Sequence, residues 1–436
     1  MLSKLLKALK DRADLAAWSV RHITKRAAQT YAVPHQMEAA RRVAEEEYKI
    51  EILRHTKTVD GSDAVGSGRA TLLPGGDIDA AIDRAALIAG LMTNPVHSIP
   101  APARIPELEL VDPRIANHMQ HSLGEVMSEL RSAASKNNGV RLTSAECFGE
   151  IQTVHLINSR GIDAQQEATQ IDIEYVLQAH KGERHSEMQR ALTSRRAADL
   201  NIDADVGRRA RYTIDVLEAT APSKWQGPVV LRDDALANFM AGDDLYPGIL
   251  KSLGSAASKY AKISPWEIGK SVFREDVKGD PLTAWANRAV PLGSESNGFD
   301  DEGLPAQRVE LIRDNKLVAF VASQRYADYL HIPPTGDFGA VELPPGRTPA
   351  ANLLSEPYVE ISQFSWFNPD PITGNFATEI RLGYLVSNGT PKPFKGGQLI
   401  GNVLDALADV RWSAETGYFG PYLGPHTARF NDLKVA

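Results

Sequence analysis

The chain is poor in the residues that build several whole classes of protein. Its one cysteine, Cys147, permits no internal disulfide and no thiolate cluster for zinc or iron–sulfur, which fits a reducing, cytoplasmic setting. The longest dense apolar run, Ala85 to Met92, falls far short of the roughly 20 residues that span a bilayer, so no membrane role is expected. Cationic excess is missing too: 48 Lys+Arg against 55 Asp+Glu leave a net charge of −7, which gives no overall field for a polyanion such as nucleic acid. Common catalytic signatures are absent, including G-x-S-x-G, the phosphate loop, G-x-G-x-x-G and H-E-x-x-H.

What is present describes an ordinary globular chain. At about 150 residues per domain, 436 residues suggest two or three domains, and 43% hydrophobic with 24% charged residues supply real cores. Between Met1 and Arg26, Leu2, Leu5, Leu6 and Leu9 alternate with Lys4, Lys7, Lys10 and Arg12 as a basic amphipathic helix, without the apolar stretch of a signal peptide. Tyr48, Ile50 and Ile52 show the period of a strand with one wet face. Asp77 reads as the N-cap of a helix, a second helix follows Pro113 to about Ser135, and Gln165–Tyr175 with Arg184–Ala191 form a hairpin around Lys181 and Gly182. A further helix fits Val206 to Leu217.

Ala221, Pro222 and Ser223 mark a break near Thr220, giving an α+β domain over 1–220 and a β-rich domain over 221–436. In the latter, Pro228–Leu231 reads as a buried strand followed by a helix from Asp233 to about Met240. Asp314-Asn315-Lys316 and Asn388-Gly389 read as hairpin turns, and Leu399, Val403, Leu404 and Leu407 as a late helix.

Four groups of residues carry candidate chemistry. His118 and His121 could share a helical face that Glu125 would have to complete as a third metal ligand, but a solvated helix face is the reading that these residues favour. Asp300, Asp301 and Glu302 would bind a cation or act as an acid/base pair, or simply form a wet turn. Asn158-Ser159-Arg160-Gly161 follows the strand-like Ile151–Ile157, with no base in view for Ser159, and His155 reads as a packed histidine. The aromatic runs Phe364, Trp366, Phe367 and Tyr418, Phe419, Tyr422 suit either a peptide or partner surface or a β core.

Taken in order, several short segments resemble the TldD/PmbA family of bacterial and archaeal metalloprotease subunits. They are Asn158-Ser159-Arg160-Gly161, Gly279-Asp280, Asp300-Asp301-Glu302-Gly303 with the hairpin Leu311–Leu317, Thr335-Gly336, Thr373-Gly374-Asn375-Phe376, Asn388-Gly389 and Lys395-Gly396 to Gly401-Asn402. The resemblance implies a two-domain α+β protein and a heterodimer in which a TldD-type subunit holds zinc through H-E-x-x-x-H, on a helix after a strand, plus a cysteine near the C-terminus. Here Arg232 and Asp233 stand where His-Glu would be, Ala237 replaces the second histidine, and Arg411 to Thr427 has no cysteine. Neither a guanidinium nor a methyl group ligates zinc. A lone His426 does not restore the set.

The resemblance is therefore to the TldE/PmbA-type subunit. It implies no catalytic or metal residue in this chain, zinc in a TldD-like partner, and small or unfolded peptides as substrate. Asn158, Arg160, Asp300, Asp301 and Glu302 are left as structural or peptide-binding candidates. Two alternatives stay open: a self-associating peptide-binding or scaffold protein, homodimeric when isolated, and an independent hydrolase with an unrecognised site.

Overall fold

The computed structural model describes residues 1–33, 36–242, 246–274 and 276–436. Alternating stretches of the first half build one antiparallel sheet of unusually long strands. In chain order its elements are α1 (Leu2–Lys10), β1 (Ala17–Val33), β2 (Gln36–Lys57), β3 (Asp63–Leu72), α2 (Ile78–Leu91), α3 (Pro113–Lys136), β4 (Val140–Asn158), β5 (Asp163–Lys181), β6 (Arg184–Ser194) and α4 (Ile202–Glu218). The strand order is β3-β2-β1-β4-β5-β6, so the long connection from β3 to β4, which carries α2 and α3, crosses from one edge of the first hairpin pair to set β4 beside β1.

The helices cover the apolar face of this sheet. Trp18, Val20, Tyr48, Ile50 and Ile52 pack with Leu5 and Leu9 of α1 and with Ile82, Ala85 and Ala89 of α2. Farther along, Ala28, Ala32, Cys147, Ile171 and Ile173 pack under α3 and α4. Contact at α2 is close enough to require glycine: a Cβ on Gly68 would stand 2.0 Å from the Ala85 carbonyl oxygen. Asp77 caps α2 through the Ala80 amide at 3.0 Å, and Asp112 caps α3 through the Arg114 amide at 2.8 Å.

The N-terminal helical pattern needs correction. It stops at Lys10, and β1 begins at Ala17 because Trp18 and Val20 supply a buried alternating face. Leu5 and Leu9 are 0% and 1% exposed, so the apolar stripe of α1 is spent on the core rather than offered to a membrane surface. No helix among the described residues is long and apolar enough to cross a membrane.

The second half contains β7 (Trp225–Arg232), α5 (Asp233–Ala241), α6 (Ile249–Gly254), α7 (Ala256–Tyr260), β8 (Ala284–Asn287), β9 (Arg308–Arg313), β10 (Lys316–Leu317), α8 (Gln324–Leu330), β11 (Ala340–Glu342) and α9 (Ala350–Leu353). It continues with β12 (Tyr358–Phe364), β13 (Asn375–Ser387), β14 (Thr390–Phe394), β15 (Gln398–Asn402), α10 (Val403–Ala408), β16 (Val410–Trp412), β17 (Thr416–Phe419), β18 (Tyr422–Pro425) and β19 (Thr427–Val435). One sheet runs β10-β9-β8-β11-β18-β17. In the other, β12-β7-β19-β15-β13-β14, strand β12 also pairs with β13, which closes β7, β12, β13, β15 and β19 into a ring without free edges.

Helix α5 lies between these two sheets and touches strands of both. Its Phe239, 0% exposed, meets the rings of Phe367, Phe376 and Phe430. The late helix is shorter than its apolar spacing suggests. Leu399 belongs to β15, paired with Thr378 and Val435, and α10 begins only after Asn402, whose side chain accepts from the Leu404 amide at 2.9 Å.

Candidate functional site

Strand β7 is fully buried at Val229, Val230 and Leu231, parallel to β12 and antiparallel to β19, so its end is fixed from both sides. That fixes Arg232 opposite Thr427 and brings the Asp233 amide to 2.8 Å from the His426 carbonyl. Asp233 adopts a left-handed φ of 47° as the chain turns from strand into α5. The Arg232 guanidinium lies 3.9 Å from Glu360, whose carboxyl is pushed up by burial and only partly relieved by Arg232. Ala237, one turn along α5, is 5% exposed inside the apolar core. His426 bonds through Nδ1 with the Thr427 hydroxyl at 3.0 Å and lies 3.7 Å from Asp233. A guanidinium, a methyl group and one engaged imidazole do not fit a zinc ion.

Charged side chains from the first half close over this turn instead. Arg208 of α4 bonds Asp233 at 2.9 Å, Arg190 of β6 bonds Asp234 at 2.9 Å, and Arg209 pairs with Asp234 as well. Asp205 receives Arg190 at 3.3 Å and the Tyr175 hydroxyl at 2.6 Å. Burial pushes the Asp234 carboxyl up, but the guanidiniums of Arg190, Arg209 and Arg208 outweigh it and hold the group below the usual carboxylate range. Burial, reinforced by Asp205, drives the Tyr175 phenol well above its ordinary value. The beginning of α5 is thus tied to both halves of the chain by a network of arginines and aspartates.

Beside the network is a cleft of about 210 Å³ lined by Gln189 and Arg190 of β6, Asp234 and Asn238 of α5, and Gln363 and Trp366 at the end of β12. A second, wider groove of about 580 Å³ continues along β6 past His185 and Glu187 toward Glu379, Arg381 and Lys395. Among the described residues β6 pairs with β5 alone, and its His185, Ser186 and Glu187 line this groove, where the Arg381 guanidinium reaches the Glu187 carbonyl at 3.5 Å.

The remaining sequence candidates are dispersed. His118 and His121 are both exposed, with His118 at a break in α3, and Glu125 lies 3.5 Å from His121 while accepting from Arg114 at 2.5 Å. Among the described residues no group of three His, Cys, Asp or Glu side chains is placed to hold a metal ion. Asn158 organises a turn: its Oδ1 accepts from the amides of Arg160 and Ile162, both at 3.0 Å, and its Nδ2 donates to the Pro100 carbonyl at 2.9 Å. Arg160 donates to the Ile99 carbonyl at 2.6 Å, so this turn sews the α2–α3 connection to the sheet. Ser159 accepts from the Trp18 amide, and His155 bonds Asp163 at 2.6 Å.

Asp300 is buried beside Arg288, Asp301 pairs with Arg21, and Glu302 accepts from the Gln324 amide at the beginning of α8. Of the aromatics, Phe364, Phe367 and Tyr422 are core residues, whereas Trp366 is 56% exposed at the cleft rim. Tyr418 accepts from the Ser294 amide at 2.8 Å and Phe419 packs against the core. Cys147 is fully buried, which pushes its thiol up to about 12. Sequence reading missed Arg190, Arg208, Arg209 and Asp205, because their meaning arises only when β6 and α4 fold against α5.

Two models of one family match the chain in sequence: the PmbA/TldA metallopeptidase central domain over residues 109–214 and the C-terminal domain over residues 226–436. The chain belongs to the TldD/PmbA family. Among family relatives in sequence, a metalloprotease of Synechocystis is 30% identical over 172 residues, covering 36% of this chain and 37% of that protein. The chain thus spans little more than a third of that relative's length. An uncharacterized protein of Methanocaldococcus jannaschii is 22% identical over 305 residues, 67% of this chain and 68% of its own.

The α+β fold of the family extends to solved structures. A Thermotoga maritima protein described as a candidate modulator of a DNA gyrase superposes with a TM-score of 0.83 at 17% identity, covering 100% of both chains. TldE from Thermococcus kodakarensis superposes with a TM-score of 0.81 at 18% identity, over 100% of this chain and 99% of that one.

Proposed function

We propose that this chain is a TldE/PmbA-type subunit that does not cleave by itself and pairs with a TldD-like zinc metallopeptidase acting on small or unfolded peptides. One observation carries the reading: the beginning of α5, where that chemistry would need two imidazoles and a carboxylate, presents Arg232, Asp233 and a core-packed Ala237. Zinc then belongs to the partner. The open edge of β6 supports a peptide role, since an extended chain laid in the groove would gain main-chain hydrogen bonds there while Trp366 offers it an aromatic face. A buried, unpaired Cys147 is compatible with a cytoplasmic setting.

The test is reconstitution. The purified chain is expected to leave an unfolded fluorescent casein intact, to co-elute with a TldD-like subunit bearing H-E-x-x-x-H, and to yield peptidase activity only in that mixture. Cleavage by the chain alone, or separate elution with no gain of activity on mixing, contradicts the proposal.

A further inference from the structure

The first sheet leaves part of one strand without a neighbour. Strand β3 ends at Leu72, opposite Tyr48, so residues 39–47 of β2 pair with β1 and with no other described strand. Their pairing with β1 is regular, from Ala39 opposite Tyr31 to Glu47 opposite Ile23. Arg41, Arg42, Ala44, Glu45 and Glu46 are exposed, whereas Tyr48, Ile50 and Ile52 farther along the strand are buried.

The ladder fixes which main-chain groups this leaves bare. Thr58, continuing β2, donates its amide to the Ser62 carbonyl at 3.0 Å on the β3 side. Trp18 of β1 accepts from the Ser159 amide at 2.9 Å on the β4 side, so the odd-numbered residues of β1 and those opposite them in β2 face each other. Successive residues point their main-chain groups to opposite sides of a strand. Beyond the end of β3, Ala40, Arg42, Ala44 and Glu46 therefore turn their N–H and C=O groups to an open edge, which is a template for another strand.

The side chains say which strand. Charges of one sign along an edge keep copies apart, but here the order is Arg41-Arg42-Val43-Ala44-Glu45-Glu46, cations before the apolar pair and carboxylates after it. An antiparallel copy reverses that order and sets each sign against its opposite. With a two-fold axis at Val43, Val43 stands opposite itself and Arg41 opposite Glu45. An axis at Ala44 would instead call on Glu46 and Glu47, which are already engaged: Glu46 accepts from the Tyr48 hydroxyl at 2.5 Å and lies 2.9 Å from His22, and Glu47 lies 3.0 Å from Lys49. Glu45 and Arg42 have no ion-pair partner among the described residues, and Arg41 lies over the Tyr31 ring, 5.4 Å from its centroid.

We propose that residues 39–47 of β2 form a self-complementary edge that pairs antiparallel with the same edge of a second copy of this chain, joining two six-stranded sheets across a two-fold axis at Val43. Arg42 exchanges main-chain hydrogen bonds with Ala44 of the second copy, and Ala40 with its Glu46. The inference does not rest on the subunit role.

Sedimentation of the full chain tests it. The wild type is expected to reach twice its 47.5 kDa at micromolar concentration. Arg41→Glu and Glu45→Arg each set like charges opposite one another at both symmetry-related positions, and each should weaken self-association at least about tenfold with an unchanged circular dichroism spectrum. An equimolar mixture of the two variants restores both opposite-charge pairs and should sediment as a dimer again. Val43→Cys should give a disulfide-linked dimer with oxidised glutathione, and Ala40→Cys should not, since the native Cys147 is buried and takes no part. A wild type that stays monomeric, a dimer indifferent to both charge reversals, a mixture that remains monomeric, or cross-linking as ready through Ala40→Cys as through Val43→Cys overturns the proposal.

Discussion

Asp234→Ala is expected to destabilise the protein by about 3 kcal/mol, read as a fall in urea midpoint at unchanged slope. The substitution removes the acceptor shared by Arg190 and Arg209, whose side chains are 17% and 3% exposed, and leaves two guanidiniums with only Asp205 between them. Breaking one side of a buried pair costs roughly 3–5 kcal/mol, and the lower end applies because the cleft leaves 30% of the Asp234 side chain open to solvent. The sign with pH follows from the depressed carboxyl. Its contribution is present above the ordinary carboxylate value of 3.8 and disappears as pH falls through the lower folded value, so wild type and variant should converge in strong acid.

The second large effect belongs to Phe239. Its ring centroid lies 4.9 Å from Phe430, 5.0 Å from Phe367 and 5.9 Å from Phe376, at the point where α5 joins the closed ring of strands. Phe239→Ala should cost about 4 kcal/mol in denaturant unfolding, because the cavity is walled by strands that have no freedom to collapse inward. Phe239→Leu should recover most of this, leaving a loss of about 1 kcal/mol. Equal losses for the two variants would mean that the site tolerates an empty volume, against the packing described here.

Much of this architecture could be read from local chemistry. Asp77 and Pro113 mark helix starts because capping and a missing N–H act within one turn, and α2 and α3 begin there. Asn388 and Gly389 adopt φ of 54° and 72°, and Asp314 and Asn315 adopt 45° and 68°, the left-handed turns their residue types favour. Long-range demands were less legible. Between Ala17 and Arg26 the basic and apolar residues fit a helix as well as a strand, and only the neighbouring Ile50 and Ile157 decide for β1. Leu399 likewise has helical spacing to Val403 but is claimed by the ring of strands.

At the candidate site, the residues at the beginning of α5 were visible as a departure from the family's zinc motif, whereas the side chains that cover them were not. Arg190 is 44 residues before Asp234, so no local spacing links them. Asp300 and Glu302 show the converse. Their clustering was evident, but the approach of Arg288 and Asp337 from elsewhere in the second half, and of Glu51 from the first, is set by residues distant in the chain.

The central claim is that the beginning of α5 in this chain is not a metal site. It is tested most directly by metal analysis of the chain purified alone, incubated with one equivalent of zinc and passed through a desalting column. The account predicts far less than one zinc per chain, unchanged by Asp233→Ala. Retention of one zinc per chain that is lost in Asp233→Ala would contradict it.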